Sequence, residues 1–426
     1  MEASQTKVYS EIGKLQGVIL HTPGSEVENM TPGTAERALY SDILSLDVVT
    51  KEYKVFKDLL GKLTKTYQVK ELLADVLSDS SLRSELISKV CEMEDNVKFP
   101  TQRKRLQKRL EELDTKALAT ALIEGLPLEK NNLTDFVSDE RFVLRPLHNF
   151  FFTRDASVSV YDKVLICNMA NDVRDRESLV MQTIFENHPE VKTTVCNPLS
   201  SPDFDKNLNI EGGDVLIARD DILIIGNGTR TSTQGVDYMI EMLKTYNDGK
   251  ERHIIVQELP STPESFIHMD MVFTLLDKNK CMTYSPLLLK PSRYRTIHIT
   301  VQGDKVKIQQ KESVIKTLKE LGMDLEPVTC GGSDLWHQER EQWHSGANFF
   351  AFAPGKIIGY RRNNYTAEEL NKHGFEILKA EDVISGKVNV DDYERCLVTL
   401  SGSELPRGGG GARCMTMPVR RDAVNW

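Results

Sequence analysis

Between about Val55 and Gly125, apolar residues recur every three or four positions. Leu59, Leu60, Leu63 and Tyr67 share one helical face, as do Leu72, Leu73, Val76 and Leu77. Leu82, Leu86 and Val90 continue the rhythm, followed by Leu106, Leu110 and Leu113. Asp114 is placed to cap "TKALATALIEG", with Gly125 and Pro127 as stop signals. The basic run "TQRKRLQKRLEEL" mixes both signs along a helical pattern and reads as a solvated face.

After about Phe142 the rhythm shortens. Apolar runs pair around tight turns in "VSVYDKVLIC", "VLIARDDILIIG", "VFTLLDKNKCMTY" and "FFAFAPGKIIGY", each predicting a β-hairpin. Helical stretches such as "RESLVMQTIFENH" and "VDYMIEMLKTY" lie between them. A polar cluster stands just before each hairpin: "FFTRDAS", "EGGD", "HMDM" and "HSGAN". The unit of polar cluster, hairpin and helix repeats at irregular spacing, and equivalent strand ends in such units can face a common centre. Near the start, "GVILHTPG" predicts a strand that forms a further unit with the terminal "RCMTMPV".

A chain of 426 residues holds two or three average domains, or one large domain with an insertion. Its 40% hydrophobic and 27% charged residues are ordinary for a globular protein, so a core forms without staples. A net charge of −9 argues against nucleic acid as partner. No apolar stretch is long enough for a bilayer and the N-terminus has no apolar signal core, so a cytoplasmic protein without membrane partner is expected. Seven scattered cysteines without a C-x-x-C pair fit reduced thiols. Most sit in apolar strings; Cys414 does not, and it follows "RGGGGA".

His268 and Asp270 are two apart at a strand start and face one side. Taken alone, they are equally a histidine capped by a carboxylate. Glu211 and Asp214 flank two glycines, which is also an ordinary turn, and Asp155 beside Arg154 is also a local ion pair. Acids at three hairpin entrances, brought together, would repel one another unless a cation sat among them. A guanidinium matches a fork of carboxylates; Mn²⁺ or Mg²⁺ is the competing cation. Against the metal, no second histidine lies near the cluster. His337 and His344 in "WHQEREQWH", with Trp336 and Trp343 beside them, predict an amphipathic helix instead. Cys414 would supply a nucleophile and His268 a proton carrier.

Together, "FTRD", "EGGD", "HMDMVFT" and "GGGARCMTMP", in this order, resemble the arginine deiminases of the guanidine-modifying superfamily. "GVILHTPG" and "EREQW…GAN…APG…IGYRRN" also fit. The resemblance implies an α/β fold, a five-fold pseudosymmetric α/β propeller, over residues 1–71 and 144–426, with an inserted helical domain at 72–143. It implies Cys414 as nucleophile, His268 as general acid/base, Asp155 and Asp270 as clamps on the guanidinium, and Glu211 as the acid paired with the histidine. Asp214 is similar to a further substrate contact. Arg174 and Arg230, with Asn149 beside them, resemble the groups that hold the substrate carboxylate. The substrate implied is free L-arginine, with no metal or cofactor, in a homo-oligomer. The chain departs from the family at Gly409, where many members carry arginine; Arg407 is the nearest arginine upstream. Glycines 408–411 and the segment "ENMTPGTAERALYSD" are candidate lids. An amidinotransferase, an arginine dihydrolase, a metal-dependent hydrolase and a non-catalytic arginine-binding protein remain as alternatives.

Overall fold

All four hairpins form in the computed structural model, which describes residues 5–94, 97, 99–202, 207–246 and 248–426. Ser157–Val160 pairs antiparallel with Lys163–Ile166, Val215–Arg219 with Ile222–Asn227, Phe273–Asp277 with Lys280–Thr283, and Phe350–Ala353 with Lys356–Tyr360. Each second strand then gains a parallel partner: Thr194–Cys196, Arg252–Glu258, Glu326–Thr329 and Cys396–Leu400 respectively. A parallel partner demands a crossover, and helices supply it. Asp175–Asn187 and Thr233–Lys244 serve the first two sheets, Val314–Glu320 the third, and Asn364–Lys372 with Ala380–Ile384 the fourth.

The chain's two ends build a fifth sheet with the same wiring. Leu15–Leu20 runs antiparallel to Met417–Arg421 and parallel to Lys65–Gln68, which it reaches through the helix Leu46–Leu63. This is the unit expected from "GVILHTPG" and "RCMTMPV". The architecture is mixed α/β. Most hairpin strands are buried on both faces, which explains why they read as continuous apolar runs rather than as alternation.

One sheet is wider than the pattern suggested. Thr296–Gln302 and Lys305–Lys311 extend it beyond Arg252–Glu258. The last strand is largely exposed, and its Lys305, Lys307 and Lys311 discourage edge-to-edge pairing.

The helical segment contains Val69–Val76, Ser80–Met93, Pro100–Glu111 and Thr115–Glu124. Asp114 accepts the Ala117 N–H at 2.8 Å, and Gly125 ends that helix at φ +88°. In Pro100–Glu111 only Leu106 and Leu110 are buried, so its basic run is a solvated face. The block's leucines share one core with Val164, Ile184, Phe185 and Val419 from the sheets and their crossover helix.

The helix Leu335–Trp343 inverts its expected polarity. Trp336 is 74% and Trp343 47% exposed, while Gln338, Glu341 and Gln342 are buried. The buried face works by hydrogen bonding. Glu341 accepts the Tyr365 and Thr366 N–H groups, and Gln342 donates to the Ser265 and Met271 carbonyls. Among the described residues no helix is long and apolar enough to cross a membrane.

Because the helical block and the sheets share apolar contacts, truncating Leu122 weakens both. Leu122→Ala is expected to cost about 2–5 kcal/mol and to leave a single transition in urea unfolding. Two separated transitions would refute the shared core.

Candidate active site

Each polar cluster occupies a short turn at the mouth of its hairpin. Gly212–Asp214 precedes Val215, and Met269–Met271 precedes Phe273. Because the five sheets share one wiring, these mouths are equivalent positions, and they meet at a cavity of about 670 Å³. Asn149, Asp155, Arg174, Arg230, His268 and Cys414 line it. Glu211, Asp214 and Asp270 stand behind that lining, fully buried.

Cys414 is 4% exposed. Its Sγ lies 3.2 Å from Asn348 Nδ2 and 3.7 Å from Asp270 Oδ2. Its carbonyl accepts the Arg154 N–H at 3.0 Å. Arg154 does not pair with the adjacent Asp155; its side chain donates to the Arg413 carbonyl and the Thr416 hydroxyl. Arg413 holds Asp270 Oδ2 at 2.8 Å and Glu11 through two further bonds of 3.0 and 3.1 Å.

His268 Nε2 is 2.9 Å from Glu211 Oε2, and its Nδ1 is 3.8 Å from Asp155 Oδ1. Asp214 Oδ1 accepts the Met269 N–H at 2.8 Å, pinning the turn that carries His268. Gly213 lies against the imidazole: a Cβ there would come within 2.4 Å of His268 Nδ1. The second glycine of "EGGD" therefore makes room for the histidine.

Arg174 donates to Asp155 Oδ2 at 2.8 Å and grips Glu177 with Nε and Nη2. Arg230 is less enclosed, with Nη1 3.5 Å from Glu211 Oε1. Asn149 donates to the Ala38 carbonyl at 2.7 Å, joining the site to the N-terminal candidate lid.

The glycine run has a steric reason. Gly409 sits at φ +88°. A Cβ on Gly410 would come within 2.4 Å of the Phe152 ring, and one on Gly411 within 2.5 Å of Asn348 Oδ1. Arg407 lines the same cavity but bonds Asp42 and, at 2.6 Å, Glu404 Oε1. The loop and the segment ending at Asp42, both candidate lids, thus meet at the cavity's rim.

Sequence reasoning passed over Asn348, Arg413, Glu11 and Glu177. Asn348 lies in "HSGAN", at the same hairpin mouth as the acids of the other units, so its position was a usable signal. Glu11 has none, since its partner is 402 residues away.

The sequence model of arginine deiminase matches residues 36–421. An arginine deiminase of Bacillus cereus is 33% identical over 430 residues, covering 98% of both chains. That of Streptococcus uberis is 32% identical over 435 residues, covering 99% of both. The chain belongs to the arginine deiminase family. Two solved structures share its fold. The substrate-bound N-terminal domain of ArgZ, an arginine dihydrolase from cyanobacteria, has a TM-score of 0.54 at 14% identity, covering 95% of this chain and 98% of its own. SxtG, an amidinotransferase from Microseira wollei, has a TM-score of 0.54 at 12% identity, covering 99% and 98%.

For an arginine deiminase family member, the electrostatics of this site are informative. Burial alone would push His268 down, but Asp155, the Glu211 hydrogen bond and Asp214 outweigh it and raise the imidazole to about 9. Burial works against the Glu211 anion too, yet the His268 bond and Arg230 hold its carboxyl well below the usual range. Burial pushes Asp214 up to about 7. Burial, then Asp270 and Asp155, raise the Cys414 thiol well above its ordinary value. Asp155, Glu211 and His268 also offer three ligand atoms within 4.8 Å of one another, the one such group that includes site residues among those described.

Two outcomes check this geometry. Gly213→Ala must displace the imidazole, so kcat/KM on arginine is expected to fall by about 100-fold; unchanged kinetics would show that the ring's place is not critical. Without substrate, alkylation of Cys414 by iodoacetamide, mapped by mass spectrometry, should be slow at neutral pH and still rising past pH ~9. A plateau at neutral pH would contradict a raised thiol.

Proposed function

We propose that this chain hydrolyses free L-arginine to L-citrulline and ammonia through a covalent adduct on Cys414. One observation carries the assignment of roles: Asp155 Oδ1 and Asp270 Oδ1 are both buried without a hydrogen-bond partner. Each aspartate's other oxygen is held by an arginine, Arg174 and Arg413 respectively. Two buried acceptors left open beside a cysteine sulfur are matched by a planar group that brings several N–H donors and a positive charge.

The guanidinium lies between the two aspartates and fixes its plane against Cys414. Its charge favours the thiolate, offsetting the acids that raise the thiol. The thiol proton leaves to solvent, and Sγ bonds to the central carbon. His268, protonated at neutral pH, gives its proton to one terminal nitrogen, and the C–N bond breaks to release ammonia. The amidino thioether remains. Neutral His268 takes a proton from water, the hydroxide adds to the same carbon, and the S–C bond breaks as the hydroxyl proton leaves to solvent, giving citrulline and the thiolate. Glu211 keeps the imidazole oriented through both steps, and Asp214 holds its turn.

Arg230, with Arg174 behind it and Asn149 beside it, takes the substrate carboxylate. Both guanidinium groups line the cavity, so a free amino acid is matched in charge at each end. The five sheets of common wiring support a five-fold α/β propeller, with residues 72–143 inserted as a helical domain.

With arginine alone, citrulline and ammonia are expected in equal yield. Ornithine with two ammonia would indicate a dihydrolase, and dependence on an added amine would indicate an amidinotransferase. Cys414→Ser is expected to lower citrulline release by more than about 10³-fold. Quenched reactions with labelled arginine should carry the label on Cys414; label on another residue, or loss of turnover on chelation, would overturn the assignment.

A further inference from the structure

The chemistry above places a sulfur anion beside two carboxylates as it attacks the bound guanidinium and again as the adduct breaks. Asn348 touches that sulfur. Its Nδ2 lies 3.2 Å from Cys414 Sγ and 3.2 Å from the Asp270 carbonyl, so the amide's two N–H groups have two acceptors. Its Oδ1 accepts the backbone N–H groups of Arg413, at 3.0 Å, and Cys414, at 3.3 Å. The orientation of this amide follows from chemistry. The oxygen must face the two N–H donors, which leaves only the nitrogen to face the sulfur. The side chain is 1% exposed, so the contact is dry. Gly411 leaves the space that this oxygen occupies.

We propose that Asn348 is a catalytic residue, whose amide N–H stabilises the Cys414 thiolate both as it attacks and as it leaves. A neutral donor suits this position. A lysine or arginine there would compete with the substrate cation for Asp155 and Asp270, whereas an amide supports the anion without filling their open oxygens. Deprotonation of Cys414 still waits for the guanidinium, and the donor lowers the cost of the anion once formed. The inference rests on the deiminase reading.

Two variants separate this role from a structural one. Asn348→Asp keeps the acceptor for the Arg413 and Cys414 N–H groups but has no donor for sulfur. Asn348→Ala removes both functions without adding charge. Each is measured for citrulline release, for the pH profile of Cys414 alkylation, and for thermal melting. Both are expected to lose about 10- to 100-fold in kcat/KM, with Cys414 alkylation moved to higher pH. If Asn348 only braced the backbone, Asn348→Ala would keep the wild-type pH profile of Cys414 alkylation, and that result would overturn the proposal. So would a fully active Asn348→Ala; this variant carries the test if the aspartate variant fails to fold. A wild-type chain that makes no citrulline would defeat the deiminase reading instead, and the alkylation profiles would still decide whether Asn348 supports the thiolate.

Discussion

The guanidinium of Arg413 ties the two terminal segments of this chain to the buried carboxylate of Asp270. It is fully buried beside the cysteine and bonds Glu11 near the N-terminus and Asp270 from the third unit. A buried charge without its partner is costly, about 3–5 kcal/mol when one member of a pair is removed. The terminal segment therefore cannot drift from the site without exposing three charges to an apolar interior. That constraint fixes Cys414, only a dozen residues from the C-terminus, as firmly as a residue in the middle of a sheet.

The same device recurs around the cavity. Asp155 is held through one oxygen by Arg174, which Glu177 holds in turn. Glu211 is held by His268 and approached by Arg230. The protein gathers carboxylates that would repel one another by giving each a cationic partner on its outer side. What remains on Asp155 and Asp270 is one buried oxygen each without a hydrogen-bond partner. A site of this kind is organised before the substrate cation arrives, so little reorganisation opposes binding.

The solved neighbours put this arrangement in perspective. A dihydrolase domain and an amidinotransferase share the fold at 14% and 12% identity. The framework thus serves different reactions, as these neighbours' names show. In this chain Gly408–Gly411 and the segment ending at Asp42 meet at the cavity's rim, joined through Arg407. Gly409 holds a left-handed backbone that a side chain would strain. At the rim, an ion pair between Arg407 and Asp42 joins the two loops.

Hairpins, helical block and the polar cluster before each strand were all legible, because period and turn chemistry are local properties. Asp114 as a cap and Cys414 as the odd cysteine were legible for the same reason. The pattern placed the helix at Leu335–Trp343 but not its buried face, since such a face can be satisfied by hydrogen bonds from Glu341 and Gln342 as well as by apolar contact. It gave no hint that Gly213 makes room for an imidazole, that Arg154 turns from Asp155 to the Arg413 carbonyl, or that Glu11 anchors Arg413. The sequence by itself determined which strand mouths carry reactive groups. The tertiary structure alone decided which oxygen of each acid is spent on an arginine and which is left open. That choice depends on angles between residues hundreds of positions apart, and no local pattern encodes it.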